Sequence, residues 1–418
     1  GTALAGALRS RFPEDLARTW FGTAVDTDEG QESRVCVADS VLNLGNSQVA
    51  WQTYHMRNRH TGVVVEGGLF SLEQLPPGTT APLLLYVNTQ DVEQPQCDQF
   101  LDALVSALGT ALTLGGNRNR GLGRAMCKNN VLTLHRFDLY ETGDYADWLD
   151  VRYADRRNRP VTGGEERHIV ADPKSLVVKL TVGIPRGEDI LIASGGNDMM
   201  PQETVSANGQ TYWSIPGSSL RGLFRSWITR LAVRDGETVR DSHEIWDEQF
   251  DRDDVEEYKP DLIGWGGVKD ARTREKYARN PEDLQDPILS LFGSMYKRGR
   301  IHITNALSNR PQIRDSDVQK RAHVAIDRFS GGANEGAFFE NCVLTCSDMS
   351  FSTEISIESP TEQEVQWLVQ TLRALHLGIL SVGSSKSVGR LEIRSVEANG
   401  HLAHMVDELT TELTDGTL

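Results

Sequence analysis

The strongest constraint on the fold is an internal repeat, in which five sequence signals recur in the same order. Each copy starts with the same helix signal, GTALAGALR at residues 1–9 and GSSLRGLFR at residues 217–225. The other matches are Phe21-Gly22 with Phe292-Gly293, 33–40 with 299–306, 55–62 with 323–331, and 114–124 with 381–390. A matched order over so long a distance predicts two tandem domains rather than a solenoid of short repeats.

The helix signal of the second copy predicts a buried face and, beside it, an anion site. Ser218 and Ser219 are expected to cap the first turn with their hydroxyls. Together with free backbone N–H groups and two arginines one turn apart, Arg221 and Arg225, these hydroxyls can hold a phosphate. The alternative is an amphipathic helix whose arginines are solvated. The apolar residues with the i, i+3, i+4 spacing of a buried face are Leu220, Leu223, Phe224, Trp227, Ile228 and Leu231.

Taken together, the motifs resemble those of the RAMP (repeat-associated mysterious protein) superfamily. The resemblance is carried by IPGSSLRG at 215–222, GRIHITNA at 299–306, HVAIDRFSGGA at 323–333 and glycine loops that end in GLGR or SVGR. It covers most of residues 1–137 and 171–395, and it is strongest to the fused backbone subunits of type III CRISPR effector complexes. The resemblance and the order of predicted elements imply an α+β chain of two tandem ferredoxin-like (RRM-like) βαββαβ domains with hairpin (thumb) insertions.

The repeat also places the domain boundaries. Residues 1–137 form the first RAMP-like domain, which lacks its opening strand, so the chain is expected to come from a longer polypeptide. Residues 138–170 are expected to be a linker, either a solvated tether or a strap lying on RNA. Residues 171–418 form the second domain, which carries an acidic insertion at about 235–290.

Local patterns predict the elements of each copy. Thr361, with Glu364 three residues later, forms a capping box that predicts the start of a helix. The matching helix of the first copy is expected at Phe100–Leu112. The other elements expected in the second copy are a strand at Ser175–Gly183, a helix at Gly217–Ala232, strands at Arg300–Thr304 and within 323–357, and a closing strand at Val388–Ile393.

The net charge of −16 argues against nucleic-acid binding until its distribution is considered. Residues 235–261 alone hold twelve acidic and three basic side chains, which is −9 of that total, and they belong to no repeated motif. By contrast, Arg118, Arg120 and Arg124 lie in a glycine loop that is free of acidic residues. Such a local cationic patch determines binding more than the total charge does.

The glycine loops and the hairpin segments supply the predicted RNA contacts. Glycines let the backbone approach phosphates, and arginine and lysine neutralise them, although such loops are also common as plain turns. The hairpin segments resemble the thumb of the family, which wedges between guide and target RNA; an Asp-Arg pair that only orients the hairpin is the alternative. The predicted RNA-binding residues are Thr2, Arg9, Arg57, Arg59, His60, Gly116, Arg118, Arg120, Arg124, Ser218, Ser219, Arg221, Arg225, His323, Asp327, Arg328, Phe329, Gly383, Ser384, Ser385, Lys386 and Arg390.

The resemblance also implies a cleavage residue. The family carries an aspartate required for RNA cutting ahead of the IPGSS motif, and Asp198 matches it in residue type and approximate spacing, with Glu203 as the second candidate. An aspartate can promote attack of a ribose 2′-OH on the adjacent phosphate, by accepting its proton or by orienting a metal-bound water. A turn aspartate bonded to its own backbone is the alternative. Mg²⁺ or another divalent cation is the expected cofactor for cleavage, no organic cofactor is expected, and no metal-binding residues are assigned.

The expected function is that of a CRISPR RNA-binding backbone subunit of a type III effector complex, which positions guide and target RNA and cleaves target RNA at the second domain. The alternatives are an inert scaffold of the same kind of complex and a phosphotransferase, for which the chain has no Walker lysine and no Rossmann spacing. Expected partners are guide RNA, target RNA and other effector subunits. No apolar run approaches the roughly 18 residues of a membrane span, and five scattered cysteines fit a reducing compartment, so a prokaryotic cytoplasmic location is expected.

Overall fold

The structure is a computed structural model that describes most of the chain in two compact units. The described residues are 1–23, 30–57, 64–116, 121–153, 164–170, 174–194, 200–239, 286–293, 298–311, 314–327, 329–383 and 388–415. Unit 1 comprises Gly1–Leu44, Thr79–Arg118 and Gly123–Pro173, and unit 2 comprises Gly45–Gly78, Asn119–Leu122 and Lys174–Leu418.

Helices and strands alternate through both units, so the predicted α+β class is confirmed. The helices are α1 (Thr2–Arg9), α2 (Glu14–Phe21), α3 (Gln94–Gly109), α4 (Thr142–Tyr153), α5 (Gly217–Arg234), α6 (Pro287–Phe292), α7 (Glu362–His376) and α8 (His404–Asp415). The strands are β1 (Val35–Val37), β2 (Ala50–Arg57), β3 (Val64–Gln74), β4 (Leu85–Val87), β5 (Leu112–Thr113), β6 (Arg124–Ala125), β7 (Val131–Leu134), β8 (Glu165–His168), β9 (Ser175–Gly183), β10 (Glu203–Val205), β11 (Thr211–Ile215), β12 (Ile301–Ile303), β13 (Ala306–Ser308), β14 (Val318–Ile326), β15 (Ala333–Leu344), β16 (Ser350–Glu358) and β17 (Glu392–Gly400). None of the described helices combines the length and the apolar composition needed to cross a membrane.

Unit 1 is organised around an aromatic core. Trp20 and Phe100 are buried with ring centroids 4.4 Å apart, and Phe12 lies 5.5 Å from Phe100. Leu8 of α1 is buried in the same cluster. The strands of this unit form short antiparallel pairs, β1 with β4, β5 with β6 and β7 with β8. Because these pairs are so short, burial of the aromatic side chains is the main source of stability for α1, α2 and α3.

Unit 2 is built on an antiparallel sheet centred on β9. Strand β9 pairs with β16 on one side and with β17 on the other, and β12 pairs with the far side of β16. Strands β13, β11 and β10 extend the sheet beyond β16. In the chain, α5 lies between β9 and β12 and α7 lies between β16 and β17, an order consistent with a ferredoxin-like βαββαβ arrangement. Repetition of that order in unit 1 remains a prediction.

Helices α5 and α7 pack their apolar faces against the core of this sheet. The predicted face of α5 is confirmed, because Leu220, Phe224 and Ile228 are buried there. The capping box of α7 is also confirmed. Thr361 Oγ1 accepts the Glu364 N–H at 3.2 Å, and Glu364 Oε2 accepts the Thr361 N–H at 3.0 Å.

Two antiparallel hairpins carry the repeated histidine segments, and both belong to unit 2. The first thumb is β2–β3, paired from Ala50↔Gln74 to Arg57↔Val64. The second thumb is β14–β15, paired from Val318↔Leu344 to Ile326↔Ala333. Both pairings shift register near the end of the hairpin, so the two thumbs share this irregularity as well as their sequence signal.

Several elements differ from their predicted positions. The closing strand is β17 rather than Val388–Ile393, because Arg390 instead forms a bridge with Ser381 that closes the glycine loop. Helix α3 starts earlier than predicted, at Gln94. Its first turn is polar and contains a proline, so the spacing of apolar residues that predicted the helix begins only later in the sequence. Residues 138–170, the expected linker, contain α4 and β8, and β8 pairs with β7, while the domain boundaries stay a prediction. Most of the acidic insertion lies outside the described residues.

Candidate nucleic-acid interface

The first helix of each copy starts in the same way. In α5, the Gly217 N–H donates to Asn305 Oδ1 at 2.8 Å, and the Gly1 nitrogen before α1 donates to Asp39 Oδ1 at 2.6 Å. A Cβ added at Gly217 would lie 2.3 Å from the Ile303 carbonyl oxygen, and a Cβ at Gly1 would meet the equivalent carbonyl of β1 at 2.4 Å. Glycine is therefore required at both helix starts because the backbone of the neighbouring strand lies too close for a side chain.

The predicted serine caps of α5 are wrong. The N-cap residue is Pro216, which offers no side-chain hydrogen bond, so Ser218 and Ser219 lie inside the first turn. The side chain of Asn305 from the β12–β13 connection satisfies the first N–H in their place. Both serines are half-buried at the N-terminus of α5.

Arg221 and Arg225 place two cations beside this helix start. The Arg221 guanidinium lies 5.4 Å from the Phe292 ring centroid and donates to the Phe292 carbonyl. Its Nε is buried and has no hydrogen-bond partner among the described residues. Burial, and then repulsion from Arg225, lower the pKa of Arg221 to about 10. The side chain therefore stays charged at neutral pH, although both its burial and the nearby Arg225 disfavour that charge. An anion close by would be stabilised here.

The two glycine loops close with the same backbone hydrogen bond. Leu114 N–H donates to Gly123 O at 2.7 Å, and Val382 N–H donates to Gly389 O at 2.8 Å. Gly123 and Gly389 have φ of 73° and 107°, and an added Cβ would lie within 2 Å of the carbonyl at the other end of the loop. Since only glycine fits this left-handed, crowded position, the loop geometry follows from the repeated sequence.

The arginines that follow these glycines lie at the loop ends. Arg124 begins β6 and is half-buried, and Arg390 is exposed and lies 3.9 Å from Glu188. Gly116 is exposed, and Gly383 has φ of 127°. The remaining loop residues of the predicted site, Arg118, Arg120, Ser384, Ser385 and Lys386, lie outside the described residues.

A crossing segment, residues 188–193, connects the second thumb and the second glycine loop. On one side, Ile190 and Leu344 exchange two backbone hydrogen bonds of 2.9 Å at the end of β15. On the other side, Gly389 N–H donates to Asp189 O at 2.7 Å. A Cβ at Gly383 would lie 2.3 Å from the Leu191 carbonyl, so the loop backbone is in direct contact with the segment. The thumb and the glycine loop of unit 2 are therefore held to the same short piece of chain.

The crossing segment leads into the loop that carries the predicted cleavage residue. Ser194 N–H donates to Met200 O at 2.8 Å, and Gln202 N–H donates to Ile192 O at 2.9 Å, so the two arms of the loop are paired. Asp198 itself lies outside the described residues. Glu203 begins β10 at the end of the second arm, where partial burial raises its pKa.

The tip of the second thumb presents an aromatic ring to solvent. Asp327 accepts the N–H groups of Phe329 and Ser330 at 2.9 and 2.7 Å, and these bonds lower the pKa of Asp327. Phe329 is 99% exposed. Further down the hairpin, His323 Nε2 lies 3.1 Å from Asn341 Oδ1. Asp327 therefore shapes the turn that projects the ring, while its predicted partner Arg328 lies outside the described residues.

The first copy contributes fewer described side chains. Thr2 is the first residue of α1 and is exposed. Arg9 ends α1 and lies 3.8 Å from Glu14. Arg57 ends β2 and its side chain is not described, and Arg59 and His60 lie outside the described residues.

Sequence reasoning missed three residues that shape the interface of unit 2. Asn305 could have been found, because Asp39 occupies the same position of the repeat. Asp189 and Arg321 had no such signal. Their 2.9 Å ion pair joins the crossing segment to β14, and a contact between residues so far apart in the chain leaves no local pattern.

Comparison with known proteins agrees with this arrangement. A family model of the RAMP superfamily matches residues 1–126 and 188–391, which together include both helix starts, both thumbs and both glycine loops. No curated protein matches the chain.

Proposed function

Because the chain belongs to the RAMP superfamily, and membership implies a CRISPR-associated RNA-binding subunit, we propose that it is the fused backbone subunit of a type III effector complex. In this proposal it holds the repeat-derived part of a guide RNA, receives the paired target RNA and cleaves it at the second domain. The observation that carries the proposal is the crossing segment, which ties the second thumb, the second glycine loop and the loop of Asp198 together. An inert scaffold that binds the same RNAs is the alternative.

Each glycine loop, and separately the start of α5, is proposed to bind phosphates of the guide RNA. Backbone N–H groups at a helix start and closely approaching glycines favour phosphate without reading base sequence. Arg221 and Arg225 supply positive charge there, and because burial and the neighbouring Arg225 both disfavour the charged form of Arg221, an anion close by would stabilise it. These features support sequence-independent backbone binding.

The second thumb is proposed to insert between bases of the guide–target duplex. Val324 and Phe338 are opposite each other in the hairpin, and Ile326 follows on the same face. All three are exposed, as is Phe329 at the tip. An apolar face with an aromatic tip can replace base stacking, which is worth about 1–3 kcal/mol per base.

Cleavage is proposed to start with Asp198 accepting the proton of a target 2′-OH. The O2′–P bond then forms while the P–O5′ bond breaks, which leaves a 2′,3′-cyclic phosphate and a 5′-OH after the leaving oxygen takes a proton from water. Among the described residues there is no group of three or more His, Cys, Asp or Glu side chains that could bind a metal ion. Because Asp198 lies outside the described residues, the need for a divalent cation is tested directly, by comparing cleavage in Mg²⁺ with cleavage in EDTA.

Removal of the loop arginines tests the guide-binding part of the proposal. We expect Arg118→Ala with Arg120→Ala to weaken binding of guide RNA equally for different sequences. The log–log salt dependence should flatten by about 0.7 for each lost phosphate contact with a single strand. Fluorescence anisotropy with a labelled repeat-derived RNA at several KCl concentrations measures this slope. The control removes the same charge elsewhere, with Arg18→Ala and Arg136→Ala, which are exposed and paired with acidic residues. Equal slopes for the two double variants would contradict phosphate binding by the loop.

A further inference from the structure

Asp189 lies where three parts of unit 2 meet. Its carboxylate accepts from Arg321 of β14, with Nε at 3.0 Å and Nη2 at 2.9 Å. Its carbonyl oxygen accepts the Gly389 N–H at 2.7 Å. Only 14% of the Asp189 side chain is exposed, against 43% for Arg321. One residue thus contacts the thumb through its side chain and the glycine loop through its backbone.

We propose that the Asp189–Arg321 pair is a positioning pair, which sets the angle of the second thumb relative to the loop of Asp198. In doing so it selects the target nucleotide that is cut. This inference rests on the proposed function and deepens it. The pair touches no reacting atom.

The thumb needs such a contact because it is a two-stranded hairpin. Isolated hairpins are marginally stable in water, and their orientation depends on what holds the base. At the base, Leu344 is buried, and Val318 is partly buried and packs against the core. From Lys320 to Val324 the side chains of β14 are exposed or partly exposed. Within this stretch, Arg321 is fixed to the crossing segment by its ion pair.

Arginine is suited to this role because its planar guanidinium presents donors in a fixed direction. Both of its contacts here go to the same oxygen, Oδ2 of Asp189. Two donors on one oxygen restrict rotation of the hairpin about its base more than a single contact could. Loss of either partner would keep the two backbone hydrogen bonds between Ile190 and Leu344 at the foot of the hairpin. It would remove the contact that fixes the orientation of the hairpin.

The angle of the thumb matters because cleavage needs the 2′-OH in line with the scissile phosphate. A displacement of about 1 Å at a reacting centre can cost about 100-fold in rate. If the thumb inserts at a variable angle, neighbouring nucleotides also reach the loop of Asp198. The expected signature is therefore a slower cut and a spread of cut positions, with unchanged affinity for guide RNA.

The test uses the guide-loaded protein with Arg321→Met, Asp189→Asn, both together, and Arg321→Lys. We expect each of the first two to lower the rate of the main cut by up to about 100-fold and to add cuts at adjacent nucleotides. The double variant should be no worse than either single one, because both remove the same contact. Arg321→Lys keeps the positive charge at this position. It should therefore restore part of the main cut.

The matched control is the Arg373–Glu412 pair between α7 and α8, with contacts of 2.8 and 2.6 Å. Arg373→Met removes a similar ion pair away from the thumb and should leave both the rate and the cut position unchanged. Additive losses in the double variant, or an unchanged cut position in all four thumb variants, would overturn the positioning role.

A second readout separates this inference from the proposed cleavage. A fluorescent base analogue, 2-aminopurine, placed in the target beside the thumb site, brightens when the thumb unstacks it. This fluorescence does not depend on cleavage, so it can be measured in the Asp198→Ala variant. There, adding Arg321→Met should spread the fluorescence increase over adjacent positions of the target. If the wild-type protein does not cleave but this shift occurs, the cleavage proposal and the selection of a cut site fail, and what stands is that the pair sets the angle of the thumb. The same single bright position in wild type and Arg321→Met would refute the positioning role whatever happens to cleavage.

Discussion

Asp198→Ala is expected to abolish cleavage of target RNA at the second domain while guide and target binding remain intact. A carboxylate beside a phosphate repels it in the ground state and helps only when the 2′-OH must lose its proton. Its removal should therefore lower the rate and not the affinity. General-base losses run to about 10²–10⁴-fold, which a single-turnover assay with end-labelled target RNA can measure.

Two controls make this result specific. Glu203→Gln removes the neighbouring carboxylate on β10, whose pKa is raised by burial, and should leave the cut in place. Binding of guide RNA to Asp198→Ala should match the wild type, since misfolding would weaken it. If Asp198→Ala cleaves target RNA at the wild-type rate and at the wild-type position, the proton-accepting role would pass to Glu203 and, after that, to a partner subunit. A wild-type complex that binds target without cutting it would favour the inert scaffold.

Asp317→Ala is expected to destabilise unit 2 by about 3–5 kcal/mol, because it removes the buried carboxylate that accepts from Arg310 and Trp213 and leaves both donors without that acceptor. The Asp317 side chain is 1% exposed at the base of the second thumb. It accepts from Arg310 Nη2 at 2.6 Å and from Cys346 Sγ at 3.3 Å. Trp213 Nε1 donates to the same carboxylate at 3.4 Å. Chemical denaturation followed by tryptophan fluorescence measures the loss.

The control for this substitution is Asp348→Ala. Asp348 also lies near Arg310, at 3.9 Å, but its side chain is 74% exposed. Exposed pairs contribute about 0–1 kcal/mol, so this variant should unfold close to the wild type. Equal losses for the two variants would contradict the role assigned to burial.

The same carboxylate gives a direction for pH dependence. Burial by itself raises the pKa of Asp317, but the hydrogen bonds it accepts outweigh burial and lower the pKa. A depressed native pKa means that its stabilisation is complete above the ordinary aspartate value of about 3.9 and is lost as pH falls through the lower native value. Asp317→Ala should therefore lose its difference from wild type in strong acid.

The sequence predicted the features that depend on local pattern. The apolar face of α5 and the capping box of α7 follow from spacing alone, and the internal repeat located both thumbs and both glycine loops. Glycine positions such as Gly389 were recoverable for the same reason, because a left-handed residue in a crowded loop tolerates no side chain.

What the sequence did not predict depends on contacts between distant segments. The helix start of α5 uses Asn305 instead of its own serines, and the sequence alone offered the nearer serines as caps. The contact of Arg221 with the Phe292 ring was not predicted either, because the chain brings Phe292 in from another helix. The Asp189–Arg321 pair likewise joins two segments that have no shared period.

The RNA that the protein carries tests the central claim most directly. Tagged protein would be purified from cells that hold a CRISPR array, and the bound RNA would be extracted and sequenced. The proposal predicts short RNAs that share a uniform repeat-derived segment, bound through loops that contact phosphates rather than bases. Absence of bound RNA, or RNA of unrelated sequences and lengths, would contradict a guide-binding backbone subunit.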